Sequence, residues 1–200
     1  SKSYVKYKII YHELNSTESE LIFEDEKVKV YTIPLNHRVY TNGFLFKEKE
    51  KSRKINISAV KEFKEIDKCD YNNLKAGKDF KLDSGDVIKN SELTYNPEKP
   101  LSYAYCSDTS YKPTIIEIID GVDLLYHEST FLTDKEYLAK KTGHSTAKQA
   151  ATIAKKANVK KLVLGHYSSR YKNISLFKKE AQEVFENVSL AETGRVFSSK

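Results

Sequence analysis

The sequence is poor in several residue types: it has no methionine, no tryptophan, two cysteines, four prolines and seven glycines in 200 residues. The cysteines, Cys69 and Cys106, form no C-x-x-C pair and no disulfide framework, which favours a reducing compartment, the cytoplasm. No run approaches the roughly 18 apolar residues that a membrane-spanning helix needs. The sequence also lacks G-x-G-x-x-G, P-loop and G-x-S-x-G motifs, which disfavours dinucleotide enzymes, nucleotide kinases and serine hydrolases.

The residues that are present describe a globular chain with a basic surface. Apolar residues make up 39% and charged residues 31%, and the net charge is +6. This length suits one domain of mixed architecture with a real core. The charge favours a polyanionic partner, although a lysine-rich composition gives the same value without a nucleic acid.

The hydrophobic pattern divides the chain into three parts. Residues 1–46 have the alternation of β structure, residues 47–80 form an inserted basic arm, and residues 81–200 alternate strands with helices. The alternation predicts an α/β (α+β layered) fold. Within the third part the pattern predicts strands at 101–107, 122–126 and 161–165, a helix-compatible stretch at 112–120, and helices at 146–157 and 175–186. Thr146 and Gln149 make a capping box at the start of the first of these helices.

The basic arm contains ten Lys or Arg against six Asp or Glu over residues 47–78, a local net charge of +4. Its few apolar residues are enough for a short amphipathic helix at 57–67, but they are too few to form a hydrophobic core. A hairpin is predicted around residues 83–86, which read Asp-Ser-Gly-Asp. The arm is either a solvated loop or a surface that holds phosphate through its cations: Lys51, Arg53, Lys54, Lys61 and Lys64.

Three predicted strands end on polar residues. "YCSDTSY" ends on Asp108, "VDLLYHEST" ends on His127 and Glu128, and "KKLVLGHYSSRY" ends on His166. Since ligands gather beyond the carboxyl ends of strands in α/β sheets, these four side chains are expected on one rim.

Imidazole and carboxylate groups are usual ligands of catalytic zinc. His37, Asp108 and His166 therefore form a candidate ligand set, and two ions bridged by the carboxylate would suit phosphodiester hydrolysis. The alternative is that each histidine is a hydrogen-bonded structural group.

His144 precedes a helix start in "TGHSTA", where free backbone N–H groups favour an anion. It is a candidate proton donor to a leaving oxygen, with Glu128 as the group that orients it. Ser145 and Thr146 are candidate phosphate-binding residues, although the same residues also read as a plain helix cap. Ser168 and Arg170 follow His166 and suit phosphate recognition.

The motifs "PLNHRVYTNGFLF", "YCSDTSY", "VDLLYHESTF", "GHSTAKQAATIAKKANVKKLVLGHYSSRY" and "EAQEVFENVSLAETG" together resemble ribonuclease Z, the tRNA 3′-processing endoribonuclease of the metallo-β-lactamase superfamily. The resemblance runs over nearly the whole chain and is strongest at 104–171. It implies the C-terminal half of an αββα sandwich, zinc as cofactor and precursor tRNA as substrate.

Carried onto this chain, the resemblance makes His37, Asp108 and His166 zinc ligands, with Asp108 bridging two ions. It makes His144 and Glu128 the proton-transfer pair, and places Ser168 and Arg170 near the scissile phosphate. Residues 47–78 match the arm that grips tRNA. This arm departs from the family pattern, because Cys69-Asp70-Tyr71 replaces a Gly-Pro element.

The H-x-H-x-D-H run of the superfamily is absent from the sequence. The resemblance places it upstream, so the expectation is a C-terminal half that binds zinc weakly and is inactive alone. A half sandwich exposes an apolar sheet face, which predicts a homodimer. Two other functions stay open: a phosphodiesterase for small cyclic or aryl phosphodiesters, and a non-catalytic RNA-binding half-domain.

Overall fold

A computed structural model describes residues 7–198 of the chain. The strands are β1 Leu21–Glu24, β2 Val28–Pro34, β3 Asn42–Glu48, β4 Lys54–Ile55, β5 Phe80–Lys81, β6 Val87–Ile88, β7 Thr94–Tyr95, β8 Ser102–Cys106, β9 Leu124–Glu128, β10 Leu162–Gly165 and β11 Val188–Leu190. The α-helices are α1 Ile57–Val60, α2 Tyr71–Lys75, α3 Asn90–Leu93, α4 Glu136–Thr142, α5 Ala147–Lys156 and α6 Ser175–Gln182. No helix in this part of the chain is both long and apolar enough to cross a bilayer.

Seven strands form one mixed sheet in the order β1-β2-β3-β8-β9-β10-β11. The first four strands of this order pair antiparallel, whereas β8, β9, β10 and β11 run parallel. The four parallel strands therefore end at the same edge of the sheet. The α/β arrangement predicted from the alternating pattern is confirmed.

Helices α5 and α6 cover one face of this sheet and build the main core. The apolar face of α5 consists of alanines and Ile153, and Phe177 of α6 is fully buried. They pack on the side chains of the parallel strands, among them Leu125 and Leu164. Small alanine side chains let the helix lie close to the sheet. The capping box of Thr146 and Gln149 starts α5 as predicted, with Gln149 N donating to Thr146 Oγ1 over 3.1 Å.

Two predicted helical segments are largely replaced by turns, and the helix predicted at 175–186 ends at Gln182. The stretch at 112–120 contains only a 3₁₀ turn, Pro113–Ile115, followed by further turns. The helix expected at 57–67 stops at Val60, and the chain continues through turns into a second 3₁₀ turn, Lys68–Asp70. Each segment buries its few apolar residues without a continuous helical face, so tertiary packing overrides the local preference.

The arm has a small core of its own, contrary to the expectation from its composition. Val60, Ile66, Leu74 and Leu93 are buried together, and strand β4 pairs with β7. This unit reaches past residue 80, because the apolar partners come from α3 and from the β5–β6 hairpin. The hairpin itself forms around the predicted turn, with Gly85 at φ 94°.

The opposite face of the large sheet is aromatic and open. Phe46 stacks on Tyr103 with ring centroids 5.9 Å apart, and Tyr105 stacks on Tyr126 at 4.8 Å. Phe46 and Tyr105 are 37% and 38% exposed. The apolar sheet face expected of half a sandwich is therefore present.

Asp123 fixes the start of β9 and carries a pH prediction. It is buried, accepts hydrogen bonds from Ser102 N and Oγ at 2.8 Å, and pairs with Lys160. Burial alone raises the pKa of Asp123, but the hydrogen bonds from Lys160 and Ser102 outweigh burial and lower it.

We expect Asp123→Ala to lower the free energy of unfolding by about 2–4 kcal/mol at neutral pH, since it leaves Ser102 donors unpaired. A carboxylate with a lowered folded pKa stabilises the fold above its ordinary pKa near 4, and this contribution is lost as pH falls through the folded pKa. Urea unfolding at pH 7 and at pH 3 checks this. Equal destabilisation at both pH values would contradict the charge-based account.

Candidate metal and proton-transfer site

Polar side chains meet where the parallel strands end. Asp108 follows β8, Glu128 ends β9 and His166 follows β10, and His144 reaches the same place from the turn before α5. One potential ligand atom from each of these four residues lies within 4.8 Å of the others. The convergence predicted from three polar strand ends therefore brings Asp108, Glu128 and His166 together.

His127 does not join this group, which corrects the expectation that it shares the rim. Successive strand residues face opposite sides of a sheet, so His127 points into the core while Glu128 points to the site. His127 is 1% exposed, its Nδ1 lies 2.8 Å from Glu128 O, and burial lowers its pKa. It is a structural histidine.

Asp108 and His166 have backbone conformations that aim their side chains at each other. Both lie in the left-handed region, with φ of 56° and 60°. This conformation costs free energy in any residue other than glycine, and backbone strain of this kind is common at functional positions. Their side chains are 46% and 41% exposed, so a ligand can reach both from solvent.

Glu128 is the buried anchor of the site. Its carboxylate is fully buried, and it accepts hydrogen bonds from Thr109 N (2.7 Å), Thr130 Oγ1 (2.6 Å), Thr130 N (3.3 Å), Ser145 N (3.1 Å) and His144 Nδ1 (2.8 Å). Burial disfavours its charged form, but these hydrogen bonds outweigh burial, so its pKa lies below the ordinary value. A carboxylate with five donors is an orienting group and has no oxygen left for a metal.

His144 is oriented by Glu128. Because the carboxylate can only accept, His144 carries a proton on Nδ1, and its Nε2 faces away from the anchor. The hydrogen bond to Glu128 raises the pKa of His144. The ring lies 5.2 Å from that of His166 and 5.1 Å from that of His37. His144 is therefore a positioned imidazole with one nitrogen free for proton transfer.

A relay of hydrogen bonds also sets the tautomer of His166. Thr130 Oγ1 donates to Glu128, so it accepts from His166 Nδ1 at 2.8 Å. The unprotonated nitrogen of neutral His166 is then Nε2, which lies 3.2 Å from Asp108 Oδ1. A lone pair and a carboxylate oxygen at this distance repel each other unless a proton or a cation lies between them.

The residues fit a metal ion on this evidence. Two ligands bound at about 2.0–2.2 Å to a tetrahedral zinc lie roughly 3.3–3.5 Å apart, close to the spacing of Asp108 and His166. Metal-binding histidines usually donate their other nitrogen to an oxygen, as His166 does to Thr130.

His37 lies beside these residues and outside the group of four. Its Nδ1 lies 2.9 Å from Gly143 O, which leaves its Nε2 free. Gly143 ends α4 with φ 78°, and a Cβ there would lie 2.9 Å from His37 Nδ1. The close approach of His37 to this turn requires glycine.

Ser145 and Thr146 are not on the surface, which corrects their predicted role in phosphate binding. Both are buried. Ser145 N and Oγ donate to Glu128 and to Thr109 O, while Thr146 Oγ1 and N are occupied by Gln149. Their polar groups therefore hold the site together.

Ser168 and Arg170 lie at the outer edge of the site. The backbone N of Ser168 donates to Thr130 O over 3.0 Å, and Arg170 Nη1 lies 3.3 Å from Ser168 Oγ. Arg170 is exposed. These contacts leave the guanidinium open to an anion.

The predicted arm cations differ in their surroundings. Arg53 donates to Thr94 Oγ1 and Asn96 Oδ1, so it holds the arm together, and Lys51 pairs with Glu48 at 3.6 Å. The other three are exposed: Lys54, Lys61 and Lys64.

Sequence reasoning missed the roles of Thr109 and Thr130. Thr109 N donates to Glu128, and Thr130 links Glu128 to His166. The available signal was a threonine one or two residues after each acid: Thr109 after Asp108 in "SDTS" and Thr130 after Glu128 in "HEST".

Comparison with known proteins gives the context of this site. A family described as a beta-lactamase superfamily domain matches residues 96–167. Curated proteins named ribonuclease Z are similar over most of the chain. The protein from Parabacteroides distasonis is 46% identical over 94% of this chain and 62% of its own length, and the protein from Cytophaga hutchinsonii is 43% identical over 98% and 63%. The chain thus spans about three fifths of these relatives.

Solved structures support the fold. The metallo-β-lactamase fold protein YhfI from Bacillus subtilis superposes with a TM-score of 0.59 at 18% identity, covering 92% of this chain and 54% of that one. Human tRNase Z, short form, gives 0.53 at 24% identity, covering 91% and 47%. The chain has part of a metallo-β-lactamase fold, as the motifs predicted.

Proposed function

Because this chain has a metallo-β-lactamase fold and resembles the C-terminal half of ribonuclease Z, we propose that it is part of a metal-dependent endoribonuclease that removes the 3′ trailer from precursor tRNA. The main observation behind this proposal is that two residue pairs lie side by side at the same edge of the sheet. They are the exposed Asp108–His166 pair and the His144–Glu128 pair. The first suits a metal and the second a proton donor. A metal ion offsets the charge that develops on the phosphate, and a proton donor assists a poor leaving group such as an RNA hydroxyl.

Asp108, His166 and His37 are the proposed zinc ligands of this chain. Their free atoms are a carboxylate oxygen and two imidazole nitrogens, a donor set that suits zinc. When bound, zinc supplies a Lewis acid that offsets charge developing on the phosphate. Three ligands from separate loops leave the set incomplete, so we propose that two ions bind only in the longer protein and that this chain alone is inactive.

His144 is the proposed proton donor to the leaving oxygen. Glu128 holds its Nδ1–H at 2.8 Å, so transfer takes place from Nε2. The hydrogen bond favours the charged imidazole, which is the form that can donate. Arg170, exposed beside Ser168, is the proposed contact for the scissile phosphate.

The arm supports tRNA as the substrate. Lys54, Lys61 and Lys64 are exposed on a unit with its own small core, which lets the arm present charge away from the sheet. Phosphate contacts of this kind give affinity without reading sequence.

We expect Lys54→Glu, Lys61→Glu and Lys64→Glu together, in the complete gene product, to lower cleavage of precursor tRNA at sub-saturating RNA by about 100-fold or more. Each lost cation should also reduce the salt slope by roughly 1. Hydrolysis of bis(p-nitrophenyl) phosphate should stay unchanged. The control replaces two exposed lysines of α5, Lys155→Glu and Lys156→Glu. Parallel loss of both activities in the arm variant would contradict arm binding.

A phosphodiesterase for small cyclic or aryl phosphodiesters is the second candidate, because a metal ion held at the exposed Asp108–His166 pair would not by itself select RNA. In that case the arm variant would lose nothing on either substrate. We further propose a cytoplasmic location and a homodimer. The open aromatic face around Phe46 and Tyr105 is where another layer of protein would pack.

A further inference from the structure

A cleft of about 500 Å³ opens beside His144, between α4 and the loops around Asn36 and Tyr111. His144 forms part of its lining, whereas Asp108, His166 and Arg170 do not. The proposed chemistry leaves this space without a role, although it adjoins the proposed proton donor. Its volume lies within the range of small-molecule sites and exceeds one nucleobase.

Two tyrosine rings and an unpaired lysine ammonium line the cleft. Tyr137 of α4 is 70% exposed, and Tyr111 is half-buried against the core. Within residues 7–198, neither tyrosine hydroxyl has a hydrogen-bond partner and the ammonium of Lys140 has no ion pair. An exposed ring with a nearby unpaired lysine suits a base that stacks and a phosphate that follows it.

Hydrogen bonds hold several of the polar side chains that line the cleft. Gln149 Oε1 accepts from Thr146 N at 3.0 Å, and its Nε2 donates to Glu136 Oε1 at 2.9 Å. Across the cleft, Asn36 Nδ2 donates to Ser110 Oγ at 2.8 Å. Side chains that are fixed before binding lose little further conformational entropy when a ligand binds.

We propose that this cleft binds the RNA nucleotide that carries the leaving oxygen, with its base stacked on Tyr137 and its outer phosphate near Lys140. The inference rests on the proposed function. Hydrolysis forms a bond from phosphorus to the oxygen of water and breaks the bond to this nucleotide, whose oxygen takes the proton from His144. The nucleotide that receives this proton has to lie on the His144 side of the phosphate, where the cleft is.

The first test crosses protein variants with substrate variants, using the complete gene product. Precursor RNAs carry either an intact base or an abasic site at each nucleotide flanking the cleaved bond. For wild type, the abasic site should slow cleavage by about 10–100-fold at one of the two positions. Tyr137→Ala should slow the intact RNA by a similar factor and the abasic RNA no further, while Tyr137→Phe keeps the dependence on the base.

Lys141→Ala is the matched control, since Lys141 neighbours Lys140 on α4 and does not line the cleft. It should preserve the full dependence on the base. Wild-type cleavage that ignores the abasic site at both positions would overturn the proposal. So would a Tyr137→Ala variant that slows intact and abasic RNA equally.

A second measurement is independent of cleavage. RNA with 4-thiouridine beside the cleavable bond is irradiated with the Asp108→Ala variant, and the adduct should map to residues 136–140, which read "EYLAK". Adducts at other segments alone would overturn the proposal. An adduct at 136–140 together with a wild-type protein that cuts no RNA would instead contradict the proposed function and leave the nucleotide site standing.

Discussion

Replacement of Glu128 by glutamine should lower the free energy of unfolding by about 2–3 kcal/mol, and replacement by alanine by about 3–5 kcal/mol. Each carboxylate oxygen accepts at least two hydrogen bonds. Thr109 N and His144 donate to Oε1, and Ser145 N and Thr130 donate to Oε2. An amide NH₂ placed at either oxygen position faces at least one backbone N–H, which can only donate, so even the isosteric change leaves buried donors unpaired.

Glu128→Gln should also lower RNA cleavage by at least 10–100-fold, which is the usual effect of losing a group that orients a ligand. Glu128→Gln releases both His144 and the Thr130–His166 relay. Urea unfolding gives the stability, and cleavage is measured where the variant is fully folded. Glu117→Gln, at an exposed position, is the control. A stable Glu128→Gln protein with full activity would show that Glu128 does not orient His144 and His166.

His144→Ala should lower kcat for RNA by about 10²–10⁴-fold, the usual contribution of a positioned general acid. An RNA hydroxyl is a poor leaving group and needs the proton, whereas p-nitrophenolate leaves as a stable anion. Hydrolysis of bis(p-nitrophenyl) phosphate should therefore fall by less than about 10-fold. Bound metal, measured by elemental analysis, should be unchanged.

His12→Ala is the control for this experiment, because His12 is exposed and outside the site. Equal losses on both substrates would mean that His144 binds or positions the phosphate and does not donate the proton.

The residues at the edge of the sheet that form the site were predictable, because their places at strand ends can be read from the sequence. Polar residues after buried runs mark strand ends, and parallel strands place those ends together, so Asp108 and His166 could be located from the pattern. His37 was a candidate ligand from its residue type, and the motif resemblance repeated that assignment, but its contact with Gly143 O, on a different part of the chain, was not predicted. Local sequence alone gives no reason to pair residues 37 and 143.

The direction of a side chain was less predictable than its position. His127 and Glu128 are adjacent and both polar, yet one is buried in the core and the other in the site, because register decides the face. For Ser145 and Thr146 the position was predicted correctly, at the start of a helix, but the predicted phosphate binding was not found. Their backbone N–H groups already donate to Glu128 and Gln149.

The small core of the arm was not predicted, because the residues that form it are far apart in the sequence. Val60 and Ile66 have few apolar neighbours in sequence, and they are buried by Leu93 and by the hairpin after residue 80. A window over residues 47–78 contains only part of that cluster. The basic surface, in contrast, could be predicted from composition.

The most direct test of the account is cleavage of a 3′-extended precursor tRNA by the complete gene product, with wild type, Asp108→Ala and the exposed-site control Asp120→Ala in parallel. We expect site-specific cleavage by wild type and by the control. In Asp108→Ala we expect a loss of more than about 100-fold, together with reduced bound zinc. Undiminished cleavage by Asp108→Ala, or no cleavage by wild type, would contradict it.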